Sequence, residues 1–139
     1  MKLNQLMTKD VVTVRPDDSL ATAARKMRER NIGFLPVCDG DRLVGTLTDR
    51  DITVNAVADG KDPKATQVRD LVHSNVFWCF EDQDVREAAR IMEENQVRRL
   101  MVLNPKNKQL SGIVSLGDLA MNADKKVSAK VLEKVSEKI

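Results

Sequence analysis

The sequence contains an internal repeat, in which residues 6–52 recur in the same order and with similar chemistry as residues 71–119. Identical residues are 65 positions apart at first, and 67 apart after a turn that is longer in the second copy. Two units of this length together match one ordinary domain. We therefore predict one compact module, built from two similar halves about a pseudo-two-fold axis. The identical pairs include Leu6 and Leu71, Ala23 and Ala88, Met27 and Met92, Leu35 and Leu100, Gly45 and Gly112, and Asp51 and Asp118.

The balance of charge disfavours a nucleic-acid-binding protein. The formal net charge is +2, and the excess lies in the lysine-containing tail after residue 120. Binding to nucleic acid by phosphate neutralisation needs several basic contacts. With one Trp, no Tyr and three Phe, aromatic platforms for single strands are also scarce.

Cysteine, histidine and the N-terminal residues carry weak signals. Cys38 and Cys79 have no CxxC spacing and lie in apolar runs, so we predict two buried free thiols and no metal site. His73 is the single histidine, and we interpret it as an ordinary surface residue. The first five residues lack the apolar core of a signal peptide, and no apolar run is long enough to span a membrane. These features predict a cytoplasmic location.

Each repeat has the pattern strand, helix, strand, turn, strand, helix, which predicts a mixed α/β (α+β) fold made of two βαββα units. In the first copy, the β-branched run 11–14 predicts the first strand, and an apolar stripe at 3.6-residue spacing over 20–27 predicts the first helix. Further strands are predicted over 32–37, 43–47, 97–103 and 110–114. The predicted organisation is a first repeat over 1–58, a linker over 59–65, a second repeat over 66–122 and a C-terminal amphipathic helix over 123–139.

The predicted C-terminal helix has an apolar stripe of Val127, Val131, Val135 and Ile139, with Leu132 beside it. Two interpretations of this stripe stay open. The helix either docks on its own domain or on a dimer partner, or it binds a membrane surface or another protein.

The most polar recurring piece is Gly-x-x-Thr-x-x-Asp at residues 45–51 and Gly-x-x-Ser-x-x-Asp at 112–118. A predicted strand ends and a helix begins there, where free backbone N–H groups attract anions. The hydroxyl can bond a phosphate oxygen, and the carboxylate three residues on can accept both hydroxyls of a ribose. Plain helix capping is the alternative interpretation, and the occurrence of the motif in both repeats favours a nucleotide.

These motifs resemble the tandem CBS domain, also called the Bateman module. The resemblance rests on the Pro/Asp-rich bend at 16–18, the Ala-Ala-x-x-Met helices at 23–27 and 88–92, the strands 35–37 and 100–102, and the doubled Gly-x-x-Thr/Ser-x-x-Asp turn. It covers residues 3–122 and is nearest to small stand-alone bacterial proteins of this type.

The resemblance implies a regulatory protein that senses a ligand or the energy state of the cell, and not an enzyme. It implies AMP, ADP or ATP as the ligand in clefts between the two motifs, with S-adenosylmethionine or NADH as further candidates, and no required cofactor. It also implies a disk-like homodimer that acts on an effector protein which the sequence does not identify. By the same resemblance, the first cleft is lined by Thr13, Val14, Pro36, Thr48, Arg50 and Asp51. The second cleft is lined by Trp78, Cys79, Met101, Ser115 and Asp118, and the phosphate candidates are Arg98 and Arg99.

The two halves differ at these positions, which leaves alternatives open. Trp78 replaces Thr13 and either stacks on an adenine or fills the second cleft. Arg98 and Arg99 either contact phosphates or pair with surface carboxylates. A protein-interaction scaffold with vestigial clefts is therefore the alternative function.

Overall fold

The computed structural model describes residues 1–122 and 125–137. The chain divides into two compact units. One unit consists of Val12–Val76, and the other combines Met1–Val11 with Phe77–Ile139. We call them the continuous unit and the split unit, and each is described by itself. The mixed α+β composition predicted from the repeat is confirmed.

The continuous unit has one β-hairpin and two helical segments around its own core. Strands β1 and β2 pair in antiparallel fashion, from Phe34 opposite Thr48 to Asp39 opposite Arg42. A 3₁₀ turn over Val68–Asp70 follows near the end of the unit. The elements in chain order are α1 (Leu20–Arg30), β1 (Phe34–Asp39), β2 (Arg42–Thr48) and α2 (Asp49–Ile52), which continues as a π-helical turn over Thr53–Val57.

Local signals in the sequence explain where α1 begins and which face it buries. The hydroxyl of Ser19 accepts a hydrogen bond from the backbone N–H of Thr22, which satisfies one free donor of the first turn. Leu20, Ala23 and Met27 of the apolar stripe are buried. The helix ends at Asn31, whose backbone is left-handed with φ 53°, a conformation that Asn adopts more readily than most residues.

The split unit repeats this arrangement and adds a strand and a helix. Strand β3 lies parallel to β4, and β4 pairs with β5 in antiparallel fashion. A 3₁₀ turn over Leu3–Gln5 precedes them. The elements in chain order are β3 (Trp78–Phe80), α3 (Val85–Asn95), β4 (Arg99–Leu103), β5 (Leu110–Ser115), α4 (Leu116–Asn122) and α5 (Lys125–Ser136).

The first strand predicted for the continuous unit, over 11–14, is reduced to a single bridge. Val14 pairs with Val37 in parallel fashion, at the position where Cys79 pairs with Val102 in the split unit. The N–H of Val14 donates to the Pro36 carbonyl, and the Val14 carbonyl accepts from the N–H of Cys38. Because only these two bonds form, the prediction of a full strand was wrong in extent, although the pairing partner is the one that the repeat requires.

Within the predicted range 123–139, the structure has a helix over Lys125–Ser136, which contacts α3 of the split unit. Val131 and Val135 are buried, whereas Leu132 is 53% exposed. The amide of Gln96, at the end of α3, donates to the Glu137 carbonyl at 3.0 Å. Docking on its own domain is thus the interpretation that the structure supports, and Ile139 of the predicted stripe lies outside the described residues. Within the described ranges, the helices are too short or too polar to cross a bilayer.

Candidate functional site

The recurring hydroxyl and carboxylate form a reciprocal capping box in the continuous unit. The N–H of Thr48 donates to Oδ2 of Asp51 at 2.8 Å, and the N–H of Asp51 donates to the Thr48 hydroxyl oxygen at 3.1 Å. The box satisfies two backbone donors at the start of α2. The Thr48 hydroxyl oxygen accepts in this box, and a hydroxyl group can also donate a hydrogen bond.

The split unit contains the same box at the start of α4. The N–H of Ser115 donates to Oδ2 of Asp118 at 2.9 Å, and the N–H of Asp118 donates to the Ser115 hydroxyl oxygen at 3.0 Å. The capping interpretation of the doubled motif is therefore correct in both units. It does not compete with a ligand role, because each carboxylate has a second oxygen that the box does not use.

The glycine of the motif allows another chain segment to cross the hairpin. A Cβ atom on Gly45 would lie 2.4 Å from Cγ2 of Val72 and 2.5 Å from the carbonyl oxygen of His73. The backbones of Thr46 and His73 exchange two hydrogen bonds of 3.0 Å. In the split unit, a Cβ atom on Gly112 would meet Met7 and the Thr8 carbonyl in the same way. The strand before each box thus lies against another segment of the same unit. Gly45 lies against residues 72–73, and Gly112 lies against residues 7–8.

The crossing segment brings His73 onto Asp51, which the sequence analysis did not anticipate. Nε2 of His73 lies 2.7 Å from Oδ1 of Asp51, while the imidazole side chain remains 59% exposed. His73 thus lies on the surface as predicted, but it is not an ordinary surface residue, because it contacts the buried carboxylate. Its alignment with Thr8 did not indicate this contact, because residues 22 positions apart meet here through the crossing at Gly45.

Asp51 is the one charged residue that is buried in the described part of the chain, with 8% of its surface exposed. Burial raises its pKa, but the hydrogen bonds from His73 and Thr48 outweigh burial and leave the pKa of Asp51 below its usual value. The carboxylate is therefore held ionised, with one oxygen in the capping box and the other against the imidazole.

The remaining residues predicted for the first cleft divide by exposure. Val14 and Pro36 are buried, and Val14 belongs to the hydrophobic core. Thr13 is half-buried, and its carbonyl accepts a hydrogen bond of 2.8 Å from the Lys26 ammonium group. Arg50 follows Thr48 by two residues and is exposed. All six predicted residues of this set lie in the continuous unit.

The residues predicted for the second cleft lie in the split unit and show the same division. Cys79 and Met101 are buried, whereas Trp78 is 45% exposed. The ring of Trp78 meets Phe80 edge to face at 4.9 Å, and the Lys108 ammonium lies over the Phe80 ring at 4.4 Å. Arg98 and Arg99 are exposed in the same unit.

The cysteines are both free thiols, but only one is fully buried. Cys79 is 1% exposed, and burial raises its pKa to about 11. Cys38 is half-buried, and burial raises its pKa as well. The prediction of two buried thiols is thus confirmed for Cys79 and corrected for Cys38, which lies near the end of β1. In the described ranges, no three His, Cys, Asp or Glu side chains gather into a group that could hold a metal ion.

A surface groove of about 470 Å³ lies between α1 and α2 of the continuous unit. Its walls combine apolar and polar side chains, and none of the residues predicted to contact a ligand lines it. The lining residues are Ala24, Met27, Arg28, Asn31, Ile32, Gly33, Asp49, Ile52 and Thr53.

Known proteins resemble the chain over most of its length. Hypoxic response protein 1 of Mycobacterium tuberculosis is 39% identical over 116 residues, which cover 83% of this chain and 80% of that protein. A crystal structure of Hypoxic Response Protein I with two coordinated zinc ions has a TM-score of 0.78 and 36% identity, and the match covers 88% of this chain and 98% of that one.

Another relative was crystallised with small molecules. The CBS domain pair of protein MJ0100, in complex with 5′-methylthioadenosine and S-adenosyl-L-methionine, has a TM-score of 0.75 and 25% identity. The match covers 87% of this chain and 94% of that one. The CBS domain family itself matches residues 3–56 and 68–124, on both copies of the repeat. The chain therefore belongs to the CBS domain family, as a pair of CBS domains of the kind that commonly serves as a regulatory ligand-binding module.

Proposed function

We propose that the chain is a regulatory module that binds an adenine nucleoside or nucleotide through Asp51 in the continuous unit and Asp118 in the split unit. The observation that carries the proposal is the doubled capping box, which fixes a hydroxyl and a carboxylate at the same point of both units. A carboxylate so oriented accepts hydrogen bonds from the two adjacent hydroxyls of a ribose.

The remaining contacts follow from the exposed residues of each unit. Thr48 and Arg50 supply a hydroxyl and a guanidinium for a phosphate in the continuous unit, and Arg98 and Arg99 are the phosphate candidates of the split unit. The 45% exposed ring of Trp78 supports stacking on a base. Thr13, Val14, Pro36, Ser115, Cys79 and Met101 stay predicted contacts on the strength of the family resemblance.

The ligand of the MJ0100 domain pair supports an adenosine compound here, because both molecules in that complex contain adenosine. We keep AMP, ADP and ATP as candidates, together with S-adenosylmethionine, 5′-methylthioadenosine and NADH. We also propose that the module performs no catalysis and regulates an effector protein. The cytoplasmic location stays a prediction from the sequence.

A thermal-shift panel with these six compounds tests the proposal. A ligand present at about 100 times its dissociation constant adds roughly 2.7 kcal/mol to the native state, which raises Tm by several degrees. Asp51→Ala and Asp118→Ala should each weaken binding, and Asp41→Ala, an exposed carboxylate in the β1–β2 turn, serves as the control. If protein free of bound nucleotide responds to none of the six, the ligand proposal fails and the scaffold hypothesis takes its place.

We further propose that two copies associate as a homodimer through the helical face after Asp51. Val54 and Val57 on the π-helical turn are 47% and 65% exposed. Ile32, two residues before β1, is 39% exposed. Exposed apolar residues grouped on one element are typical of an interface. Light scattering at micromolar concentration should give the mass of a dimer, and Val57→Asp should give a monomer. A monomeric mass for the unaltered chain contradicts this part of the proposal.

A further inference from the structure

The two units present their carboxylates differently, although their capping boxes are the same. In the continuous unit, Oδ1 of Asp51, which the capping box leaves unused, lies 2.7 Å from the His73 imidazole. In the split unit, Thr8 occupies the position of His73, because its backbone pairs with Ile113 as His73 pairs with Thr46. Among the bonds of the described residues, the Asp118 carboxylate accepts only from the N–H of Ser115.

We propose that His73 is an internal competitor for the Asp51 carboxylate, which a ribose-containing ligand must displace from Oδ1 in order to bind the continuous unit. The inference rests on the proposed function, since it concerns the same carboxylate. It makes His73 a positioning residue that lowers ligand affinity in one unit and has no counterpart in the other.

The geometry of the crossing segment makes this displacement local. Two backbone hydrogen bonds to Thr46 fix the main chain of His73, which passes close to Gly45. The imidazole itself is 59% exposed, so it can rotate into solvent about its side-chain bonds. A ligand therefore has to break one hydrogen bond but does not have to move a strand.

The competition from His73 should be selective for ligands that contain a ribose. A ribose diol needs acceptor capacity on both sides of the carboxylate, whereas a ligand that contacts only Thr48 and Arg50 through phosphate leaves Oδ1 with His73. Displacement thus weakens the binding of ribose-containing compounds specifically. Inorganic phosphate is the probe that should be insensitive to His73.

The first test measures the affinity of 5′-methylthioadenosine, which has a ribose and no phosphate, by calorimetry in the full chain. The background carries Asp118→Ala so that the continuous unit is observed alone. Removal of one hydrogen bond worth roughly 1 kcal/mol corresponds to about fivefold tighter binding for His73→Ala. His73→Gln, whose amide can still donate to Asp51, should stay within about twofold of the parent, and His73→Asn, whose side chain is shorter, should behave like the alanine variant.

The second test uses the fact that His73 is the only histidine of the chain. Its ring gives one set of NMR signals, which should move on saturation with 5′-methylthioadenosine toward their positions in an Asp51→Ala variant, where residue 51 offers no side-chain acceptor. The reciprocal variant Thr8→His, in a chain with Asp51→Ala, should weaken binding to the split unit by a similar factor.

The outcomes separate this inference from the proposed function. If the parent binds 5′-methylthioadenosine and His73→Ala binds it equally or more weakly, the competitor role is overturned while the proposed function stands. If neither the parent nor His73→Ala binds this compound or AMP at millimolar concentration, both fall. Tighter binding by the alanine variant, with parent-like binding by the glutamine variant, supports the competitor role.

Discussion

The continuous and split units contain the same helix start, but the carboxylate is contacted by a histidine side chain in the continuous unit and not, among the described residues, in the split unit. Thr48 with Asp51, and Ser115 with Asp118, form boxes whose four bonds are 2.8–3.1 Å long. His73 contacts the first carboxylate, whereas Thr8 has the equivalent backbone pairing in the split unit. The repeated residues therefore determine the backbone arrangement. A residue outside the repeated motif, His73, determines which carboxylate oxygens are available to a ligand.

The units also differ in what completes their cores. The split unit has the full strand β3 and the helix α5, with Val131 and Val135 in its core. The continuous unit has a single bridge at Val14, and after α2 only short helical turns contribute to its core, through Ala56 and Val68. Stability should therefore depend on the C-terminal helix mainly through the split unit.

The largest effect that we expect follows from a charge on the docked face of α5. Val131 is fully buried, and the burial of a valine side chain contributes roughly 1.5–3 kcal/mol. Val131→Asp should detach the helix and lower the free energy of unfolding in urea by about 3 kcal/mol. Leu132→Asp, at the 53% exposed neighbour, should change it by less than about 0.5 kcal/mol. If Val131→Asp lowered the free energy of unfolding as little as Leu132→Asp, docking of α5 would not stabilise the split unit.

The next effect concerns the close approach at the two motif glycines. In Gly45→Ala, the new methyl group would lie 2.4 Å from Cγ2 of Val72 and 2.5 Å from the His73 carbonyl oxygen. In Gly112→Ala, it would lie slightly farther away, at 2.7 Å from the Met7 sulfur and 2.8 Å from the Thr8 carbonyl oxygen. Overpacking of this kind costs roughly 1–3 kcal/mol, and we expect Gly45→Ala to be the more destabilising in urea denaturation.

Gly117→Ala is the control for the glycine variants. Its Cβ atom would meet only Ser115 Oγ at 3.5 Å, and alanine is favoured over glycine within a helix by roughly 0.5–1 kcal/mol. Gly117→Ala should therefore stabilise the protein. If all three alanine variants had the same effect, the crossing segments would not need the motif glycines.

Much of the backbone could be predicted from the sequence, because its signals are local and occur twice. The alternation of β-branched runs, the Ala-Ala-x-x-Met stripes and the turn residues predicted both hairpins and both long helices, and the repeat predicted two similar units. The strand over 11–14 failed because its β-branched residues indicate propensity, which does not determine how many partners the neighbouring strand offers.

The contact between His73 and Asp51 could not be predicted, because it depends on a crossing of segments distant in sequence. Alignment with Thr8 gave the position of His73 within the repeat, but no spacing rule relates residue 73 to residue 51. The motif glycine was the available signal, because a glycine often lies where another backbone approaches so closely that a Cβ atom would clash with it. That signal indicates an approach and does not identify the approaching residue.

A smaller effect tests whether the two capping boxes are equivalent. Thr48→Ala and Ser115→Ala each remove the side-chain acceptor at a helix start, which typically costs about 1 kcal/mol. We expect the two losses in the free energy of unfolding to agree within about 0.5 kcal/mol. Thr48→Ser and Ser115→Thr, which keep the hydroxyl, should be near neutral. A much larger loss for Thr48→Ala would mean that His73 and the capping box stabilise each other.

The smallest effect that we expect is the acid sensitivity that arises from Asp51 in the continuous unit. The pKa of Asp51 lies below its usual value because the bonds from His73 and Thr48 outweigh burial. A carboxyl group with a lowered folded-state pKa contributes stability above its unfolded pKa of about 3.9, and this contribution is lost as the pH falls through the folded pKa. Urea denaturation between pH 5 and pH 3 should therefore show a shallower loss of stability for Asp51→Asn than for the parent.

His73→Ala and Thr8→Ala complete this test as a matched pair. His73→Ala removes one of the hydrogen bonds that lower the pKa of Asp51, so it should reduce the acid dependence of unfolding, and Thr8→Ala should leave it unchanged. The pair separates the contribution of the imidazole from that of the capping box, because both variants keep the box. If His73→Ala retained the full acid dependence of the parent, the capping box alone would hold Asp51 ionised. The imidazole would then differ from Thr8 only in occupying the second carboxylate oxygen.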